Sequence, residues 1–231
     1  MVKISGLQKM TLLDYPQKVA ATVFLGGCNF RCPYCHNASL VFDRVQTPEI
    51  PTDTFFTFLQ SRRGLLDGVC VTGGEPLLQD GLEPFFTRIK ELGFLLKLDT
   101  NGSYPKKLKA LAASGLIDYV AMDIKNSPAK YAQTAGVTDA VLPAVRESVE
   151  YLLGGPVEYE FRTTVVRTLH TVEDMAEIGQ WIRGAKKYFL QNFVDSDDII
   201  QPGLQGLETP ELEAFLACVQ RDVPSAAIRN L

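Results

Sequence analysis

The 231-residue sequence predicts an α/β fold, specifically a partial TIM-like barrel of six strand–helix units, (β/α)6. Six short, mostly apolar runs alternate with longer helical patterns, and this order implies right-handed crossovers and a parallel sheet. A closed eight-stranded barrel typically needs about 250 residues, so six units at this length favour an incomplete barrel. A doubly wound sheet would show the same alternation, and periodicity does not separate the two.

The predicted strands are short and apolar, as expected for strands covered on both faces. They span residues 19–25, 68–72, 95–99, 119–123, 159–166 and 188–193. The predicted helices span residues 53–62, 82–92, 105–114, 143–153, 172–183 and 210–221. Thr52 is the expected N-cap of the first helix, and Gly93 is expected to end the second.

Composition narrows the class of protein. Hydrophobic residues make up 46% of the chain and the formal net charge is −4, so no broad basic face is available for nucleic acid or an anionic membrane. No apolar run approaches the roughly 20 residues that span a bilayer, and the first residues carry no signal-type stretch. We expect one cytoplasmic domain over 1–231, with a short N-terminal extension and a C-terminal helix.

Three of the five cysteines stand close together, directly after the first predicted strand. Cys28, Cys32 and Cys35 have C-x3-C-x2-C spacing, and in a reducing cytosol such a group indicates metal binding or thiol chemistry. Three thiolates on one loop can hold three irons of a cubane cluster and leave the fourth iron open. Cys70 and Cys218 stand alone and are expected to be buried packing residues.

Other interpretations of the cysteine loop stay open at this point. Residues 32–35 match the C-x-x-C of a thiol–disulfide exchange site, but that leaves Cys28 unexplained. Residues 32–36 spell the C-x-x-C-H of c-type haem attachment, which in most settings needs an exported chain. A structural zinc site would need a fourth ligand, and His36 adjoins Cys35 without a spacer.

The second predicted strand runs into Gly73, Gly74, Glu75 and Pro76. Two glycines at a strand end remove side chains and let a ligand approach backbone polar groups, and Glu75 adds a carboxylate beside them. Ligands of parallel α/β sheets bind at the carboxyl ends of strands. The turn and the cysteine loop are therefore expected to share one site.

Together these motifs resemble the radical S-adenosylmethionine (SAM) superfamily, whose signature C-x3-C-x-aromatic-C has Tyr34 at its aromatic position. The Asp-Thr-Asn-Gly run at 99–102 and the Met-Asp-Ile-Lys run at 122–125 resemble the glycyl-radical-enzyme activases. Residues 4–6 and 13–16, with the Cys-Pro-Tyr-Cys-His-Asn loop, are most similar to the activating proteins of anaerobic ribonucleoside-triphosphate reductase. The resemblance extends to about Lys125 and is weaker through Arg162.

The resemblance implies roles for individual residues. Cys28, Cys32 and Cys35 would hold a [4Fe–4S] cluster whose open iron chelates SAM. The SAM-binding residues would be Tyr34, His36, Gly73, Gly74, Glu75, Thr100, Asp123, Lys125 and Arg162. A monovalent cation would lie at Asp99, Thr100 and Asp123. On the residues alone, Asp99 and Asp123 could also be helix caps or turn formers, and Lys125 and Arg162 could be solvated or form structural ion pairs.

The resemblance also implies a reaction and partners. A flavodoxin- or ferredoxin-type donor would reduce the cluster, SAM would be cleaved to methionine and a 5′-deoxyadenosyl radical, and that radical would take a glycine α-hydrogen from a partner enzyme. The protein substrate would be a glycyl radical enzyme, foremost anaerobic ribonucleoside-triphosphate reductase. One alternative is a radical SAM enzyme that acts on a small molecule such as a 7-deazapurine precursor, and the other is a non-enzymatic cluster protein that only carries electrons.

The N-terminal segment before the first strand carries one further hypothesis. Asp14 precedes Tyr15 and Pro16, and we expect it to serve the partner's glycine loop, although Asp ahead of Pro is also common turn chemistry. The related activases often have glycine after this segment, whereas Gln17 stands here, which puts the geometry of partner recognition in doubt.

Overall fold

A computed structural model of the chain describes residues 2–42 and 49–229. In these residues eight strands form one sheet in sequence order, and every neighbouring pair is parallel except the first, which is antiparallel. The strands are β1 Ile4–Thr11, β2 Ala20–Leu25, β3 Gly68–Gly73, β4 Leu95–Thr100, β5 Tyr119–Asp123, β6 Glu158–Val165, β7 Tyr188–Asn192 and β8 Ala227–Ile228.

The six predicted strands are confirmed as β2 to β7, within one residue at each end. Sequence analysis missed the two edge strands. The exposed residues of β1 include Gln8 and Lys9 and break the apolar run expected of a buried strand, while β8 has only two residues. Within the described residues β1 and β8 do not pair with each other, so the sheet is the predicted open, partial barrel.

The six predicted helices are also confirmed, with ends that differ by at most two residues. The helices are α1 Ala38–Phe42, α2 Thr52–Ser61, α3 Leu82–Glu91, α4 Pro105–Ala113, α5 Tyr131–Ala135, α6 Leu142–Leu153, α7 Val172–Trp181 and α8 Thr209–Val219. The five-residue helices α1 and α5 are too short to show a helical period and were not predicted. Thr52 is not the N-cap, because α2 begins at Thr52 and Pro51 occupies the cap position without a side-chain hydrogen bond.

The two faces of the sheet differ in polarity. Leu96 and Leu98 point to the apolar layer beneath the helices and are fully buried there. Lys97 and Asp99 alternate with them along β4 and therefore point to the opposite, inner face. No helix of the described part of the chain is long and apolar enough to cross a membrane.

A buried ion pair ties the last strand to the inner face. Glu160 of β6 is fully buried and accepts two hydrogen bonds from the Arg229 guanidinium, at 2.7 and 2.8 Å. The Tyr119 hydroxyl donates a third, at 2.9 Å. The ring of Tyr15 packs on Tyr119 with centroids 6.0 Å apart, toward the amino ends of the strands.

Arg229→Ala should destabilise the protein by about 3–5 kcal/mol, because it leaves the Glu160 carboxylate buried without a counter-charge. The measurement is the free energy of unfolding from urea denaturation. Lys187→Ala is the matched control, since the Lys187–Glu158 pair on the same strand is exposed and such pairs contribute about 0–1 kcal/mol. Equal losses in the two variants would contradict the assignment of Arg229.

Candidate active site at the carboxyl ends of the strands

The carboxyl ends of β2 to β7, with the turns that follow β2 to β5, surround one cavity of about 300 Å³. Every residue predicted for the site lines this cavity, apart from Glu75 and Asp14. The predicted residues on its wall are Cys28, Cys32, Tyr34, Cys35, His36, Gly73, Gly74, Asp99, Thr100, Asp123, Lys125 and Arg162. Segments from five separate strand ends thus converge on the cysteine loop.

The glycine turn lies against the start of the cysteine loop. The amide of Gly74 donates to the Leu25 carbonyl and that of Glu75 to the Gly27 carbonyl, both at 2.9 Å. A Cβ atom on Gly74 would lie 1.9 Å from the Gly27 carbonyl oxygen, and one on Gly73, whose φ is +124°, would lie 2.3 Å from that of Leu25. Both positions therefore require glycine, for a close approach of two backbone segments that sequence analysis did not foresee.

Glu75 lies behind the cavity wall and is fully buried. Its carboxylate accepts hydrogen bonds from the Leu77 amide at 3.0 Å, the Thr100 hydroxyl at 2.8 Å and the Asn101 amide at 2.6 Å. Burial raises the pKa of Glu75 to about 7 despite these donors. The side chain thereby fastens the turn after β3 to the turn after β4.

The three thiols of the loop are protonated in the absence of a metal. Burial raises the pKa of Cys28 to about 11 and that of Cys32 to about 12, and it raises the pKa of Cys35 as well. A disulfide-exchange site needs the opposite, a thiol whose pKa is lowered. The environment therefore disfavours the thiol-exchange interpretation of residues 32–35.

The donor set suits a cluster better than a single metal ion. In residues 2–42 and 49–229, no three His, Cys, Asp or Glu side chains are grouped so that they could hold one metal ion. A structural zinc site needs four ligands, and the Nε2 of His36, the residue after Cys35, lies 2.7 Å from the Val194 carbonyl oxygen. Three cysteines that line one cavity fit a polynuclear iron–sulfur cluster, in which each thiolate binds a different iron.

Tyr34 and His36 flank the cysteines in different ways. The ring of His36 stacks on Phe193 at 5.2 Å, and its Nε2 lies 2.7 Å from the Val194 carbonyl oxygen. The Tyr34 hydroxyl is buried and, in the described part of the chain, has no hydrogen-bond partner. An unsatisfied buried hydroxyl beside the cysteines is a feature of functional sites more than of packing.

A group of alternating charges forms the deeper wall. Arg162 donates to Asp123 through Nε at 2.9 Å and to Asp99 through a terminal nitrogen at 3.3 Å. Lys125 Nζ lies 3.0 Å from the other Asp123 oxygen. Burial acts to raise the pKa of Asp123, but Arg162 and Lys125 outweigh it and lower the pKa to about 2. Asp99 and Asp123 are thus ion-paired carboxylates and not helix caps or turn formers.

Sequence analysis missed several residues of this region. Asn29 links the cysteine loop to the turn after β4, because its amide accepts from Asn101 at 3.0 Å and donates to Ser103 at 2.9 Å. His170 is buried, and its Nε2 lies 2.9 Å from the Lys125 carbonyl oxygen. The cap of α7 is Thr171.

Asp14 lies away from the cavity wall, in the segment between β1 and β2. This segment is at the amino end of β2, because Thr11 pairs with Ala20. The Asp14 carboxylate accepts a hydrogen bond of 2.5 Å from the Thr22 hydroxyl.

Comparison with known proteins gives a family match and several relatives. Residues 22–183 match the model of the radical SAM superfamily. A protein of Methanocaldococcus jannaschii, named as a candidate glycyl-radical enzyme activating enzyme, is 32% identical over 201 residues, 84% of this chain and 81% of its own. The pyruvate formate-lyase-activating enzyme of Streptococcus mutans is 30% identical and covers 80% of this chain and 74% of its own.

Two further similarities are more limited. The 7-carboxy-7-deazaguanine synthase of a Synechocystis species is 32% identical over 112 residues, which are 48% of this chain and 47% of its own. The crystal structure of Streptococcus suis SuiB bound to S-adenosylmethionine superposes with a TM-score of 0.68 at 13% identity. It covers 89% of this chain, which spans about half of SuiB, and at that identity the likeness extends to the fold alone.

The family match covers most of the chain and includes the cysteine loop, the glycine turn and the charged wall, all of which meet at one cavity. The structure of SuiB shares the fold over 89% of this chain. This chain therefore belongs to the radical SAM superfamily of enzymes.

Proposed function

We propose that this enzyme is an activase that installs a glycyl radical on a partner protein, and that the partner is an anaerobic ribonucleoside-triphosphate reductase. The observation that carries the proposal is the convergence of three cysteines, a glycine turn and paired charges on one polar cavity. Relatives that cover four fifths of the chain and are named as activating enzymes support the activase class. The N-terminal residues 4–6 and 13–16 support the choice of partner.

In this proposal Cys28, Cys32 and Cys35 hold the [4Fe–4S] cluster, and their loop presents it to the cavity. When bound, the cluster and SAM supply the reductive cleavage that yields methionine and a 5′-deoxyadenosyl radical. Because the thiols are protonated without metal, they must lose their protons when they bind iron. An electron donor of the flavodoxin or ferredoxin type supplies the electron.

The residues around the cluster bind and orient SAM. The exposed backbone at Gly73 and Gly74 receives the amino group, with Glu75 behind the turn to fix its position. Lys125 and Arg162 carry positive charge toward the cavity and attract the carboxylate, and Thr100 lines the same wall. Asp123 holds both basic side chains in place through its ion pairs with them. Tyr34 and His36 belong to the cysteine loop and form the side of the site that faces the adenine.

The open sheet favours a protein substrate. A loop of a partner can reach an inner face that a closed barrel would obstruct, because β1 and β8 leave the described sheet unclosed. The alternative, a small-molecule radical SAM enzyme such as a 7-deazapurine-forming one, is supported by the match to the deazaguanine synthase, which covers about half of the chain. The activase relatives match along much more of it.

Cys28→Ala, Cys32→Ala and Cys35→Ala should each abolish the cluster absorbance and the cleavage of SAM, because a cubane with two protein ligands is not retained. Iron content and anaerobic absorbance measure the cluster, and 5′-deoxyadenosine measures the cleavage. The controls Cys70→Ala and Cys218→Ala should keep the cluster, since both thiols are buried away from the loop. A fully active cluster without Cys28 would refute this ligand set.

The reduced enzyme with SAM should generate a glycyl radical on anaerobic ribonucleoside-triphosphate reductase, detected by electron paramagnetic resonance. Pyruvate formate-lyase serves as the comparison substrate and should give a far weaker signal. A signal on pyruvate formate-lyase alone would identify that enzyme as the partner instead, and the assignment to the activases would stand. Production of 5′-deoxyadenosine with no radical on either protein would favour the small-molecule alternative.

Asp14→Ala should lower the yield of glycyl radical by about tenfold or more, since loss of a positioning contact costs up to about 10²-fold. Production of 5′-deoxyadenosine without partner should stay near the wild-type rate, because Asp14 is not on the cavity wall. Thr22→Val is the matched control, as it removes the hydroxyl that Asp14 accepts from and keeps the carboxylate. Equal losses in both assays would identify a folding defect, and no loss would leave Asp14 as a turn residue.

A further inference from the structure

The two carboxylates expected to bind a monovalent cation are fully engaged by basic side chains. Arg162 takes one oxygen of Asp99 and one of Asp123. The other Asp123 oxygen accepts from Lys125 at 3.0 Å, and the other Asp99 oxygen accepts from Lys97. No oxygen of the pair is left without a cationic partner from the chain itself.

The net charge of this group disfavours the binding of another cation. Three basic side chains face two carboxylates, so the group carries a surplus of one positive charge. A bound monovalent cation would double that surplus in a buried environment, where like charges repel far more strongly than in water. The residues therefore do not fit a cation site at Asp99, Thr100 and Asp123, contrary to the expectation from the resemblance.

Lys97 differs from the other members of this group because it does not line the cavity. It is 1% exposed, lies on the inner face of β4, and its Nζ is 3.7 Å from the Cys70 sulfur. An unpaired lysine at this depth would be strongly unfavourable, so its ammonium depends on Asp99. A tethered ammonium has the charge of a monovalent cation and donates to a carboxylate oxygen of Asp99.

We propose that Lys97 takes the place of a bound monovalent cation: its ammonium holds Asp99 in position and maintains the positive charge toward which the SAM carboxylate is drawn. Lys97 is a positioning residue, since it acts through Asp99 and does not line the cavity. This inference rests on the proposed SAM site at Lys125 and Arg162. With Lys97 in this role, SAM binding by the protein does not depend on dissolved potassium or sodium.

The first test measures SAM affinity of the cluster-loaded enzyme by anaerobic equilibrium dialysis, in potassium, sodium or choline chloride at equal ionic strength. The wild type should bind SAM with the same Kd in all three salts. Lys97→Ala, which leaves space for a small ion, should bind SAM about tenfold more weakly in choline, a difference of about 1.4 kcal/mol, and recover in potassium. Lys97→Met, which fills the space without charge, should stay weak in every salt.

The second test needs neither cluster nor SAM. The unfolding temperature of the metal-free Lys97→Ala protein should rise when potassium replaces choline, because a ligand that binds only the folded state stabilises it. The wild type and the control Lys109→Ala, which disrupts an exposed pair with Glu147, should show no such rise. This measurement also reports whether the variant folds.

Two results would overturn the inference. One is a wild-type SAM affinity that falls when choline replaces potassium, since a dissolved cation would then be required. The other is a folded Lys97→Ala protein whose SAM affinity and unfolding temperature are the same in all salts. If the cluster-loaded wild type bound no SAM in any salt, the proposed function would fail instead, and the unfolding test would still decide the role of Lys97.

Discussion

The close approach of two backbone segments at the carboxyl ends of β2 and β3 fixes the geometry on which the site depends. Gly73 and Gly74 have no room for a side chain, and the amides of Gly74 and Glu75 bond to the carbonyls that lead into the cysteine loop. Glu75 then fastens the next turn, and Asn29 connects that turn back to the cysteine loop. Three turns form one hydrogen-bonded unit, so a displacement of any one would move the cysteines.

The inner face of the sheet imposes a second constraint, because its charged groups are buried together. Each carboxylate there has a basic partner from another strand or turn: Glu160 has Arg229, and Asp123 has Arg162. Such a pair is stable only when both partners are present, because removal of one leaves the other as an uncompensated charge in a medium of low dielectric constant. The polar inner face therefore depends on its ion pairs, as the apolar layer on the other side of the sheet depends on its packing.

Much of this arrangement could be predicted from the sequence, since strands that alternate with helices and end in glycines or polar residues place their turns at one edge. The edge strand β1 could not be predicted, because the exposed residues Gln8 and Lys9 interrupt its apolar pattern. The role of Lys97 could not be predicted either. Its position between Leu96 and Leu98 indicates that its side chain faces away from theirs. Its i, i+2 spacing from Asp99 does place both side chains on one face of β4, but the approach of Arg162 from β6 depends on the order and register of the strands, and no local pattern contains that.

The cysteine loop is held by segments from much later in the chain. The Arg31 amide donates to the Ala135 carbonyl, and the Gln201 amide donates to the Pro33 carbonyl, both at 2.9 Å. During synthesis at about 5–20 residues per second, Cys28 therefore emerges roughly 10 to 30 seconds before Gln201. The three cysteines are thus made early and the backbone contacts that hold their loop are completed late, so insertion of the proposed cluster is expected to follow the arrival of Gln201.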